Sequence, residues 1–364
     1  MESLGVKSFG GVYAGRRVLV TGHTGFKGSW LALWLHELGA EVTGIALDPD
    51  TTPSHWNLLG LPVQDLRLDI RGAVQLADAV AAAKPEVVFH LAAQPLVRRS
   101  YRAPLDTWTT NVIGTANLLD ACRGLGGLKA VVAVTTDKVY QNSEWPWGYR
   151  EIDALGGHDP YSASKAATEL VIDSYRKSFF ADDGSPLIAS ARAGNVIGGG
   201  DWSEDRLIPD IVRATARGES VEIRSPHATR PWQHVLECLA GYLMLGQQLL
   251  GQQKAFAEAW NFGPEAGDNR TVSEVLAAMR AHWPEFSWHL STESHPHEAS
   301  LLYLDVAKAR SRLHWSPVWT LDEAIAKTAE WYRTYLAGAG PTSRAQLLEY
   351  VGAAKDQRAS WSGA

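Results

Sequence analysis

The sequence predicts an α/β fold: a Rossmann-type doubly wound parallel sheet with a smaller C-terminal substrate-binding lobe. Three observations carry that expectation. Strand-like and helix-like segments alternate through the first half, the strand-like ones are continuous apolar runs, and the first of them leads into glycines spaced G-x-x-G-x-x-G. Continuous apolar runs mark parallel strands buried on both faces. Strand–helix alternation then requires right-handed crossovers.

In chain order, RVLVTG (17–22) reads as a strand, GSWLALWLHELG as a helix ended by Gly39, and EVTGIAL (41–47) as a second strand. PEVVFHLAA (85–93) and KAVVAVTT (129–136) continue the sheet. RGAVQLADAVAAAK and TTNVIGTANLLDACRGL have the length and apolar spacing of the intervening helices. After about residue 195 the pattern loosens into GGGDWSEDRLIPD and RSPHATRPWQH, whose Gly, Pro and charges suit loops that face a substrate. Helices are expected again at TVSEVLAAMRAHW and LDEAIAKTAEWYRTYL.

Composition narrows the function. A chain of 364 residues can hold one large domain or two that share a core. A net charge of −6 argues against a nucleic-acid partner held by broad electrostatics. No apolar run reaches membrane-spanning length, and MESLGVKSFGGVYAGRR lacks the apolar core of a signal peptide, so a cytoplasmic protein without a membrane partner is expected. Cys122 and Cys238 are far apart without metal-ligand spacing and read as reduced thiols. His295 and His297 in ESHPHE compel no metal site, and none is expected. The fifteen tryptophans read as core or interface residues.

The glycine loop carries the first chemistry. Gly22 permits a tight turn, Gly25 lets backbone approach a pyrophosphate, and Gly28 allows close helix–strand packing. Phosphates would rest on the helix amides, across Thr24, Phe26 and Lys27. His23 and Lys27 are counted with the cofactor-binding residues, His23 shaping the loop and Lys27 lying near phosphate or in solvent. Asp48, about twenty residues on, can accept hydrogen bonds from an adenosine ribose. Its charge, Asp50 nearby and the lack of an adjacent arginine favour NAD over NADP. Asp69 and Ile70 are candidates for the adenine contact. Residues 1–194, completed by about 229–263, are therefore expected to form the NAD-binding domain. Residues 195–228 and 264–340 are expected to form the substrate lobe, and 341–364 a weakly ordered tail.

YSASK supplies Tyr161 and Lys165, which a helix would place on one face. A lysine ammonium stabilises a phenolate, so the tyrosine can act as a base. With the upstream glycine loop, this pair resembles the extended short-chain dehydrogenase/reductase family over roughly residues 16–335. TTDKVY (135–140) and RAGNVIGGGDW narrow the resemblance to the sugar-nucleotide 4,6-dehydratases, above all to the branch acting on CDP-glucose.

That resemblance implies a hydro-lyase of deoxysugar and O-antigen synthesis that uses NAD without net oxidation. Tyr161 and Lys165 would deprotonate the C4 hydroxyl while Thr136 orients it. Asp137, protonated, would donate to the departing C6 hydroxyl. Lys138 stands where the family has a second acid. It is either the C5 base, if neutral, or an electrostatic stabiliser of the enolate. Leu91, Ala92, Ala93 and Gln94 in HLAAQ and Thr135 would line the cofactor, and Asn111 would be structural. Arg192 and Asn195 are expected just beyond the sixth strand, with Asn195 facing the sugar or its phosphates. Arg206 and Arg230 would clamp the pyrophosphate, with Asn261 and Tyr303 as further substrate contacts. A homodimer is implied. The cytidine base rests on resemblance alone. dTDP-glucose or GDP-mannose dehydratases, a nucleotide-sugar epimerase or reductase, and a silent NAD-binding regulator remain alternatives.

Overall fold

The computed structural model describes residues 8–292 and 301–363. His295 and His297 lie outside them. The apolar runs become strands β1 (Arg17–Thr21), β2 (Glu41–Ala46), β3 (Gln64–Arg67), β4 (Val87–His90), β5 (Ala130–Val134), β6 (Leu187–Ala193) and β7 (Ala259–Phe262). They form one parallel sheet in the order β7-β6-β5-β4-β1-β2-β3. Every residue of β4, β5 and β6 is buried, which is why their sequences show no polar alternation. The chain winds outward from β1 to β3, then returns to β4 on the other side. That reversal opens a crevice at the carboxyl ends of β1 and β4, where such folds bind ligands.

Helix α1 (Phe26–Glu37) is buried from Gly28 through Leu35, so its sequence is apolar on every side. Helix α2 (Pro160–Phe179) starts with Pro160 in its first turn and Asp159 as N-cap, which accepts from the Ser162 amide. Helix α3 (Val235–Leu250) packs against β5 and β6 with most of its length buried. A second apolar cluster, including Ile211, Trp232, Met279, Ile325 and Trp331, joins the helices Leu207–Ala216, Val272–His282 and Leu321–Thr334.

The expected weakly ordered tail is instead a helix, α4 (Ser343–Asp356). Leu347, Tyr350, Val351 and Ala354 are fully buried at helical spacing. Trp361 stacks on Phe9 at 5.0 Å, and its carbonyl accepts from the Phe9 amide at 2.7 Å, so both described ends of the chain share one aromatic cluster. Glu237 of α3 accepts from the Tyr350 hydroxyl at 2.7 Å and from the Val318 and Trp319 amides. Among the described residues no helix is long and apolar enough to cross a membrane, and no cluster of metal-ligating side chains occurs. Cys122 and Cys238 are buried free thiols.

Candidate active site

A cavity of about 790 Å³ runs from the glycine loop across the ends of β1, β4 and β5 to the loops after β6. Its dinucleotide end is shaped by backbone proximity. Gly22 has φ +77°, and a Cβ there would lie 2.6 Å from the Ala92 amide nitrogen; one on Gly28 would lie 2.1 Å from the Gly22 carbonyl oxygen. Gly25 is the N-cap of α1 and offers no capping side chain, which leaves the first amides of the helix directed at the cavity. Thr24, Phe26, Leu91, Ala92, Ala93, Gln94, Asp69 and Ile70 line it. Asn111 is structural: it accepts from the Gln94 amide at 2.8 Å and donates to Ser164 of α2 at 2.9 Å.

Three expectations at this end need correction. His23 does not line the cavity. Its ring packs over Gly44 and Trp56, with Nε2 2.8 Å from Asp65 Oδ1. Lys27 lines the cavity, but its ammonium turns inward and donates to the Tyr242 hydroxyl at 3.5 Å. Asp48 does have an arginine beside it: Arg67, from the neighbouring strand, places Nε 3.5 Å from its carboxylate. Local charge therefore does not separate NAD from its 2′-phosphorylated form.

The reacting end is built from β5 and α2. Thr135, Thr136, Asp137 and Lys138 leave the end of β5, and Tyr161 and Lys165 face them from the first turns of α2. The Thr136 hydroxyl donates to Asp137 Oδ1 at 2.8 Å and lies near enough to the Tyr161 phenol to act on its proton. Asp137 is buried, and its Oδ2 has no partner among the described residues. Gly194 makes that space, because a Cβ there would sit 3.1 Å from Oδ2 and 2.4 Å from Pro231.

Burial sets the protonation states. It raises Asp137 above the ordinary carboxyl range, against Lys138, the Thr136 hydroxyl, Arg230 and Lys27. It pushes Tyr161 up to about 12, with the neighbouring Thr136 hydroxyl opposing. It lowers Lys165 to about 8, with Glu169 opposing and Lys27 reinforcing. Lys165 Nζ donates to the Val134 carbonyl at 3.2 Å.

At the substrate end, Asn195, Arg206 and Arg230 line the cavity. Arg192 does not: it lies within β6 and forms a buried ion pair with Glu169 of α2 at 2.9 Å. Asn261 and Tyr303 are also absent from the lining. The Asn261 amide is fully buried between the Tyr140 hydroxyl and the carbonyls of Tyr149 and Asp305, while Tyr303 serves through its carbonyl, which accepts from the Tyr149 amide. The sequence reading missed Arg98 and Arg99 in VRRSYR and their partners Asp205 and Glu204, which also line the cavity. The two arginines directly after the cofactor-lining loop were the available signal.

Residues 19–328 match the family model described as GDP-mannose 4,6 dehydratase. The chain belongs to that family. Among curated relatives of this dehydratase family, the CDP-glucose 4,6-dehydratase of Salmonella typhimurium is 47% identical over 350 residues, spanning 94% of this chain and 98% of the relative. A dTDP-glucose 4,6-dehydratase from Streptomyces venezuelae, solved with NAD, is 25% identical with a TM-score of 0.72, covering 87% of this chain and 96% of its own. MoeE5, solved with UDP-glucose and NAD, is 28% identical with a TM-score of 0.70, covering 88% and 99%. The two solved relatives thus bind NAD. The cradle here meets that cofactor's needs, with side-chain-free backbone at Gly22 and Gly28 and open amides at the start of α1.

Proposed function

We propose that this chain converts CDP-glucose to CDP-4-dehydro-6-deoxy-glucose and water, with NAD held in the cavity. The observation that carries the elimination is Asp137, a buried carboxyl with one oxygen free of protein partners, beside the tyrosine–lysine pair. An epimerase leaves the C6 oxygen in place and has no use for such an acid. The cytidine base is supported by the Salmonella relative.

Bound NAD would supply the hydride acceptor for C4 and the hydride donor for C6. The chain's own residues manage the protons. Tyr161 takes the C4 hydroxyl proton, the Lys165 ammonium stabilises the phenolate, and Thr136, bonded to Asp137 and close to Tyr161, orients the C4 oxygen. Asp137 gives its proton to the C6 hydroxyl as it leaves. Lys138, half-buried, lines the cavity beside Asp137. Either it removes the C5 proton as a neutral amine, or its charge stabilises the enolate while Tyr161 or water acts as base. Arg206 and Arg230 are suited to the diphosphate.

The chain is proposed to act as a homodimer. Leu105 is 78% exposed and Leu170 60%, and they lie on packed helices beside the exposed Ile113. The product would enter deoxysugar synthesis of the kind that supplies O-antigens. Incubation with CDP-, dTDP- and UDP-glucose and GDP-mannose, followed by mass measurement, tests the reading. Loss of one water from CDP-glucose is expected; a product of unchanged mass would indicate an epimerase.

A further inference from the structure

Glu169 lies one helical turn beyond Lys165 on α2 and does not line the cavity, so the chemistry above leaves it without a role. Its carboxylate is 4% exposed and is filled on both oxygens. Oε1 accepts from Arg192 Nε at 2.9 Å and from the Thr135 hydroxyl; Oε2 accepts from Arg192 Nη2 at 2.9 Å and from Ser190 at 2.7 Å. Arg192 Nη1 continues to the Tyr140 hydroxyl at 2.8 Å. Thr135 directly precedes Thr136 and Asp137, and Tyr140 closes the turn that carries Asp137 and Lys138. One ion pair therefore grips the catalytic helix, the end of β5 and the turn beyond it.

Stability gives little reason for such a pair. The desolvation of two buried charges rivals their attraction, and apolar side chains can fill the same space. Its placement beside the catalytic ammonium gives a better one. We infer that Glu169 is a positioning residue of the dehydration reaction, which keeps Lys165 charged and sets the Tyr161 helix in register with the Thr136–Asp137 turn. The inference rests on the proposed function.

The charged and titratable groups around Lys165 are few. Glu169 on its own helix supports the ammonium, and Lys27 of α1 opposes it. His90 of β4, itself disfavoured as a cation by burial and by Lys165, is held between the Thr21 and Thr115 hydroxyls. Asp137 acts on the neighbouring Tyr161, which it helps to raise. With burial already holding Lys165 near 8, loss of the Glu169 charge would bring loss of the ammonium into the working pH range.

The experiment is the pH dependence of kcat for Glu169→Gln, Glu169→Asp and the charge-neutral pair Glu169→Gln/Arg192→Met, beside the unmodified enzyme. The alkaline limb of Glu169→Gln should move down by about one pH unit, with a smaller shift in the same direction for the neutral pair. Glu169→Asp, which keeps the charge, should keep the limb and lower only the plateau. If Glu169→Gln alone does not fold, the neutral pair, which strands no buried charge, carries the test. A limb left in place in a folded charge-removing variant overturns the inference. So does a neutral pair that fails to fold while Glu169→Asp folds, because that assigns the ion pair to folding alone. Failure of the unmodified enzyme to act on any sugar nucleotide sinks the proposed function instead.

Discussion

Two buried carboxylates flank the end of β5, and their surroundings differ. Glu169 has a guanidinium and two hydroxyls on its oxygens; Asp137 has one hydroxyl, and its second oxygen has no partner among the described residues. Burial raises both, but Arg192 and the hydroxyls reverse that for Glu169 and hold it below its ordinary range, whereas Asp137 stays raised. Glu237 supplies the intermediate case. It accepts two amides and a hydroxyl but pairs with no cation among the described residues, and burial leaves it at about 7. Neutral donors alone do not offset desolvation at Glu237; a guanidinium does at Glu169. The fold thus keeps a fixed anion and a proton donor on adjacent segments.

The strongest way to break this contrast is to remove the donor. Asp137→Asn should lower kcat by about a thousandfold, as expected for loss of a positioned general acid, with little change in melting temperature. Closing the space beside Asp137 comes next. Gly194→Ala puts a methyl against Oδ2 and Pro231, and should reduce kcat by about tenfold or more through displacement of the carboxyl. Lys138→Met sharpens the assignment of the C5 step. If Lys138 is the base, entry of solvent deuterium at C5 should fall with kcat; an undiminished exchange rate assigns it the electrostatic role. The smallest effect concerns stability. The pKa of Glu237 is raised on folding, so its contribution is full below about pH 4.5 and is lost as pH rises through about 7. Melting at pH 8 should be weaker than at pH 5.5 by on the order of 2 kcal/mol, and Glu237→Gln should flatten that difference. A slope unchanged by the substitution would remove Glu237 from the account.

Features encoded within short segments were legible in the sequence. The buried strands announce themselves as apolar runs, and TGHTGFKG, TTDKVY and YSASK each place their residues through one turn or one helix face. What depended on contact between segments was not legible. Arg67 reaches Asp48 only because β3 lies beside β2, and His23 turns away because Gly44 on the next strand leaves room for its ring. Arg192 is expected beyond the sixth strand but lies within it, because nothing local reveals that its partner is Glu169 of α2. Asn261 looked like a substrate contact because its three buried partners come from 140–149 and 305, far away in sequence. The helix α4 was the avoidable error, since the spacing of Leu347, Tyr350, Val351 and Ala354 is helical on inspection.

The most direct measurement follows a heavy-oxygen label placed on the C6 hydroxyl of CDP-glucose. The unmodified enzyme should release the label into water and leave a 6-deoxy sugar. Asp137→Asn should oxidise C4, detectable by trapping the ketone with borodeuteride, and retain the label at C6. Release of the label by Asp137→Asn at the unmodified rate would contradict the role given to this carboxyl.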